Sequence, residues 1–197
     1  MVYMQKIKEF CAGNYYLLTA LLMFLSFPSF DNIIMRNLYF SAWFFLVPLI
    51  LFVRGKSFRE VMAAAFFAGL AGNYLTYGWI GNFGAKETGG YFVIDFFLIP
   101  SLSAFFTVKI VAAEFFTRRF PRLRLLIFPA VWVVDFIQSI GFLAFPWPYI
   151  GYSQYAFRPF IQMASVTGFL GINFLMVFFN VCASDFAGAV NKAGSLK

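Results

Sequence analysis

The chain has 197 residues, 62% of them apolar and only 12% charged, with a mean hydropathy of +0.80 and a formal charge of +7. That is roughly 120 apolar residues, enough for about six membrane spans of roughly 20 residues each, and more apolar surface than a water-soluble fold of this length hides. A disordered chain, a disulfide-framed secreted domain and a nucleic-acid-binding domain are excluded, and the excess of Lys and Arg is assigned to cytoplasmic loops. There is no histidine, which removes His-based acid–base work, Ser–His triads and most zinc sites. Cys11 and Cys182 lie near opposite ends with neither metal nor redox spacing. They read as unpaired thiols of the membrane region, and no cofactor or metal is expected.

In chain order, Lys6 and Lys8 precede an apolar stretch from Tyr15 to Phe27 that has the outline of an export signal. The stretch ends in Ser26-Phe27-Pro28-Ser29-Phe30, without a small-x-small cleavage site, so an uncleaved first span is expected over about 14–30. Further spans are expected over about 38–53, 61–82, 91–116, 125–145 and 160–183. Helices are predicted because lipid offers the backbone no hydrogen-bond partner, and because the runs do not alternate as barrel strands do. The first two are short for a full crossing. Small residues at helical spacing mark close packing on the third span (Ala64, Ala68, Gly72 beside Ala65, Gly69, Asn73) and the sixth (Ala164, Gly168, Gly171). The expected architecture is an all-α polytopic bundle over 1–185 with a cytoplasmic tail over 186–197. No internal repeat is seen, which weakens an inverted-repeat transporter.

The basic residues set the orientation. Eleven fall on one side: Lys6, Lys8, Arg54, Lys56, Arg59, Arg118, Arg119, Arg122, Arg124, Lys192 and Lys197. Three fall on the other, Arg36, Lys86 and Arg158, and Lys109 lies within a span. Both termini are therefore expected in the cytoplasm. The outer loops are then 29–37, 83–90 and 146–159. The third reads Phe145-Pro146-Trp147-Pro148-Tyr149-Ile150-Gly151-Tyr152-Ser153-Gln154-Tyr155. Its prolines stop a helix. Its aromatics fit either an interfacial anchor on a plain turn or a rim that meets lipid or a partner.

Ionisable groups inside a membrane need a named partner. Lys109 lies about 7 residues and Asp135 about 10 residues from the cytoplasmic ends of their spans, so at ~1.5 Å per residue their depths differ by roughly 5 Å. A Lys109–Asp135 pair is within reach, with Gln138 almost one turn beyond Asp135; it reads as a structural pair, with a catalytic or transport role, or no pairing at all, as the other readings. Asp95 is placed within reach of interfacial water, and Glu114 is expected to snorkel. No nucleophile stands beside a base, because nothing near Ser153 or Tyr152 activates a hydroxyl. No catalytic residue is assigned.

Phe145-Pro146-Trp147 followed by Gly151-Tyr152-Ser153-Gln154 resembles the Phe-Pro-Trp…Gly-Tyr-Ser-Gln signature of the apolipoprotein N-acyltransferase family. The continuation is similar too: Gln162-Met163-Ala164, Gly168, Gly171, Asn173-Phe174-Leu175 and Asn180. So are Leu25 to Phe30, Trp43 with Val47-Pro48-Leu49, Gly78-Trp79-Ile80 and Pro129-Ala130-Val131-Trp132. Asp135 stands where the family usually has Glu. The resemblance implies a bacterial inner-membrane protein of lipoprotein biosynthesis. Its phospholipid acyl donor feeds the α-amino group of a diacylglyceryl-cysteine lipoprotein. It also implies a periplasmic nitrilase-like domain carrying the Cys, Glu and Lys of the reaction. Neither Cys11 nor Cys182 has that context. The chain is therefore expected to be the membrane portion, inactive alone and completed by a catalytic part elsewhere, a separate nitrilase-like chain included. Trp147, Tyr149, Tyr152 and Gln154 are the expected lipid-guiding residues; Lys109, Asp135 and Gln138 are the intramembrane polar ones. The other readings are a six-helix substrate-binding subunit of a vitamin or small-molecule importer, and a membrane assembly protein without a substrate.

Overall fold

The computed structural model describes residues 13–27, 38–80, 91–140, 144–145 and 149–194, with the backbone alone at 91–95, 192 and 194. Cys11, Trp147 and the side chain of Asp95 lie outside the described residues. Every regular element described is helical. Helix α1 (Leu18–Ser26) follows a 3-10 turn at Tyr15–Leu17, and α2 (Val47–Val53) follows another at Tyr39–Trp43. Helices α3 (Phe58–Tyr77) and α4 (Tyr91–Arg119) are long. The fifth segment is split into α5 (Arg124–Ala130), a 3-10 turn at Val131–Val133, and α6 (Val134–Gln138). A 3-10 helix at Ile150–Ala156 leads into α7 (Arg158–Ile161) and α8 (Ala164–Gly194).

Each predicted apolar segment contains helix, and the differences lie at breaks and ends. The second segment breaks because Pro48 has no N–H to continue a helix upstream. Its freed backbone groups are met by side chains of neighbouring helices. The Leu46 N–H donates to Asn180 Oδ1 (2.9 Å), Asn180 Nδ2 donates to the Ala42 carbonyl (3.0 Å), and the Leu49 N–H donates to Thr19 Oγ1 (3.2 Å). The fifth segment stops being helical after Gln138, short of the expected 145. Residues 186–194, expected as a tail, continue α8.

Small residues on α3 act as expected. Ala64, Ala65 and Ala68 are buried. A Cβ on Gly69 would come within 3.0 Å of the Phe106 ring, and one on Gly72 within 3.3 Å of the Ala20 Cα. On α8 the packing expectation fails at Gly168. A Cβ there would meet nothing within 4 Å, but its φ of +65° is open chiefly to glycine and breaks the helix.

Contacts give the directions of the segments. Phe58 lies near Phe115 and Asn73 bonds Ser103, so α3 and α4 run antiparallel. Ala20 and Phe27 meet Gly72 and Tyr77, so α1 runs with α3. Arg54, Arg118 and Arg124 gather at one end of the bundle, and Tyr77, Phe145 and Tyr149 lie toward the other. Two helices among the described residues, Phe96–Arg119 and Ala164–Asn191, are long and apolar enough to cross a membrane; Tyr15–Ser26 and Tyr39–Val53 are shorter apolar helices. Phe67, Tyr74, Phe97, Phe115 and Phe186 are each more than half exposed. A water-soluble monomer seldom bares so much apolar surface.

Helix α3 begins on a capping box. The Glu60 N–H donates to Ser57 Oγ (3.4 Å), and the Ser57 N–H donates to Glu60 Oε2 (2.9 Å). Ser57→Ala is expected to cost about 1 kcal/mol in thermal unfolding. The Ser57 backbone, then its hydroxyl, then Lys56 hold the Glu60 carboxyl at about 2, down from the usual 4.5. A carboxyl depressed on folding stabilises above its unfolded value and ceases to do so as pH falls through its folded one. Amide protection at the start of α3 is therefore expected to be high above about pH 4.5 and to fall away toward about pH 2. Glu60→Gln should flatten that dependence; an unchanged profile would show that the cap is not the titrating element.

Candidate functional site: a polar lock beneath an aromatic rim

Lys109 on α4 and Asp135 on α6 are both buried, and Lys109 Nζ donates to Asp135 Oδ1 at 2.5 Å. The other carboxylate oxygen accepts from Asn173 Nδ2 on α8 at 2.9 Å. Asn173 Oδ1 in turn accepts the backbone N–H of Gly151 at 2.8 Å. One continuous chain of donors and acceptors thus runs from α4 through α6 and α8 to the 3-10 helix at Ile150–Ala156. Gly151 is needed there for space: a Cβ would stand 3.0 Å from both Asn173 Oδ1 and the Ile172 side chain. The Lys109 ammonium also lies 5.0 Å from the centre of the Trp132 ring.

A second set of bonds holds the same 3-10 helix from the other side. Trp43 Nε1 donates to Gln154 Oε1 (3.1 Å), and Gln154 Nε2 donates to the Tyr39 carbonyl (2.8 Å) and to Ser153 Oγ (2.8 Å). Gln154 is fully buried. Its amide is spent on the frame. Tyr149 is buried, and its ring lies 5.4 Å from that of Tyr152. Tyr152 is partly exposed and meets Phe169 edge-on at 4.4 Å. Burial first, and Tyr149 second, push the Tyr152 hydroxyl above its usual 10, so it stays protonated at neutral pH.

Beneath the rim is a cavity of about 20 Å³, lined among others by Lys109, Gln138, Asn73 and Trp132. That volume holds about one water. Gln138 Nε2 is buried without a hydrogen-bond partner. Glu114 departs from expectation. It is buried rather than snorkelled, and Arg118 Nε donates to its Oε2 at 3.2 Å. A flexible carboxylate stays inside here because a guanidinium on the next turn meets it.

Both Asp135 oxygens already accept, and the described residues hold no cluster of three His, Cys, Asp or Glu able to bind a metal. Of the predicted residues, Lys109 and Asp135 meet directly, Gln138 lines a cavity with Lys109, and Tyr149, Tyr152 and Gln154 share one 3-10 turn with its flank. Reading single residues missed the roles of Asn173, Gly151 and Asn180, although two asparagines one heptad apart in an apolar helix are themselves a signal.

Comparison with known proteins gives one family. The family model described as the apolipoprotein N-acyltransferase N-terminal domain matches residues 19–182. The chain is 28% identical over 182 residues to apolipoprotein N-acyltransferase 1 of Treponema denticola, covering 91% of this chain and 32% of that protein. It is 29% identical over 168 residues to the apolipoprotein N-acyltransferase of Geobacter metallireducens, covering 83% of this chain and 31% of that one. The chain thus spans about a third of the length of these curated relatives. No solved structure matches it.

Proposed function

The chain belongs to the apolipoprotein N-acyltransferase family through its N-terminal domain, and from that membership we propose that it is the membrane cradle of a phospholipid-to-lipoprotein acyl transfer. In this reading six segments cross the bacterial inner membrane, with both termini in the cytoplasm. The bundle holds the acyl tails of a phospholipid and presents its ester at the outer surface. There the ester C–O bond breaks, an amide forms on the lipoprotein α-amino group, and the amine proton leaves with the lysophospholipid. The nucleophile and base act from a nitrilase-like part outside these 197 residues; neither cysteine is assigned that role.

The observation that carries the reading is the family match over 19–182, joined to a rim that is held rigidly. Tail burial adds little affinity when the tail leaves one apolar medium for another, so the cradle works by orientation. Trp147, Tyr149 and Tyr152 are proposed to line the tail's path, with Gln154 and the Lys109–Asp135 lock holding that path in place. Family membership favours this over the importer and assembly readings.

The test is a photo-crosslink. Phosphatidylethanolamine with a photoactivatable acyl chain, incorporated with the purified chain in vesicles, is expected to label residues around 149–155. Tyr152→Ala should reduce the yield by about threefold, the order of one lost aromatic contact. Labelling spread evenly over the bundle, with a vitamin co-purifying instead of phospholipid, would overturn the reading.

A further inference from the structure

At the end of the bundle away from the aromatic rim, a cavity of about 390 Å³ is lined by Arg54, Gly55, Glu114, Thr117, Arg118 and Arg124 with Pro121. Its charges do not balance. Arg54 bonds Asp185 and Ser184, Arg124 Nε lies 3.5 Å from the same Asp185 oxygen, and Arg118 takes Glu114. Three guanidinium groups thus share two carboxylates. Guanidinium does not shed its proton in proteins, so among the described residues one positive charge is left over. Hydrogen bonds are left over as well. Among the described residues, Arg54 Nε and Arg124 Nη2 are buried donors and Glu114 Oε1 is a buried acceptor without a hydrogen-bond partner, and Arg124 Nε makes no hydrogen bond beyond its 3.5 Å approach to Asp185. Burial first, and the charge of Arg124 second, pull the Arg54 guanidinium below its ordinary value.

The complement to this pocket is a group with one negative charge, acceptor oxygens for the guanidiniums and a hydroxyl to donate to Glu114. A phosphodiester bearing a polyol headgroup has all three. The flank of the pocket is apolar. Arg118 lies 4.4 Å over the Phe58 ring, the Phe115 ring lies 6.2 Å from that of Phe58, and both rings are at least two-fifths exposed. Free phosphate would leave these rings bare, whereas a lipid would cover them. We propose that the Arg54–Arg118–Arg124 pocket binds the phosphodiester of an anionic lipid, phosphatidylglycerol in class, whose glycerol donates to Glu114 and whose tails lie along the phenylalanines. The lipid belongs to the leaflet facing the basic loops, on the opposite side from the proposed acyl donor. Only the choice of lipid over free phosphate rests on the membrane reading; basic pockets at that face are apt for anionic headgroups.

Gly55 supplies a test that leaves every arginine in place. It lines the pocket, its φ is +72°, and a Cβ there meets nothing within 4 Å. Asn and Asp tolerate that backbone region better than other side chains. Gly55→Asn and Gly55→Asp therefore add nearly the same shape and differ by one charge. The full chain in neutral detergent is titrated with dioleoyl-phosphatidylglycerol and with dioleoyl-phosphatidylcholine, read by native mass spectrometry. The unaltered chain and Gly55→Asn are expected to prefer phosphatidylglycerol by about tenfold, and Gly55→Asp to lose that preference, with helical content and melting temperature matched between the two variants. Arg124→Gln should lose it as well. The two lipids carry the same tails, so contacts at the aromatic rim cancel and failure here is separate from failure of the acyl-transfer reading. Equal binding of the two lipids by the unaltered chain, or an undiminished preference in Gly55→Asp, would overturn the proposal. Displacement of the lipid by millimolar inorganic phosphate would overturn the lipid assignment in favour of free phosphate.

Discussion

Asp135→Ala is expected to destabilise the chain by about 3–5 kcal/mol, the range seen when one partner of a buried ion pair is removed. The side chains of Lys109 and Asp135 are 4% and 0% exposed, so neither charge is open to bulk water. Removing the carboxylate also strips Asn173 Nδ2 of its acceptor. The Trp132 face near the ammonium offsets only a fraction of this, since a cation–π contact is worth about 0.5–2 kcal/mol. The double variant Lys109→Met with Asp135→Leu should regain most of the loss, because a buried pair replaced by apolar groups of similar size is often neutral. Thermal and denaturant unfolding of the single and double variants in one detergent measures the difference. Equal destabilisation of single and double variants would show that the two groups are not energetically coupled. The Tyr152 crosslink should fall in Asp135→Ala as well, because Gly151 loses its rigid anchor when Asn173 is freed.

A loss of about 3 kcal/mol is expected for Asn180→Leu, the order for a buried N–H and a buried carbonyl that both lose their partner. Asn180 is fully buried and bridges the Leu46 N–H and the Ala42 carbonyl across the break in the second segment. Leucine has the same number of side-chain heavy atoms but can meet neither backbone group, so the place of the loss, and not its size alone, reports the hydrogen bonds. Unfolding gives the magnitude, and faster amide exchange at Leu46 gives the location. A variant as stable as the parent, with Leu46 still protected, would mean that the break satisfies itself without α8.

Much of the plan was legible in the residues. Long apolar runs become helices because any other backbone state would strand its polar groups, and each of the six runs contains helix. The separation of the basic loops from the aromatic loop also carries over, as Arg54, Arg118 and Arg124 share one end of the bundle. The Lys109–Asp135 contact follows from matched depth on neighbouring helices, which helical rise alone supplies. Family membership was legible as well, because its signature residues lie close together in sequence.

Other features depended on groups far apart in the chain. Pro48 announces that a helix is interrupted, but nothing nearby says that Asn180 closes the gap. Gly151 reads as a turn residue until Asn173 is seen 2.8 Å from its N–H. Gln154 reads as part of an outer loop, yet the Trp43 indole and the Tyr39 carbonyl hold it fully inside. Glu114 reads as a carboxylate near a membrane edge, yet Arg118 keeps it buried. Composition and periodicity decide which stretches enter the apolar phase, since that transfer free energy belongs to each segment alone. Which buried polar group meets which is a property of the assembled packing, since a hydrogen bond requires two atoms about 3 Å apart and only the fold sets that distance.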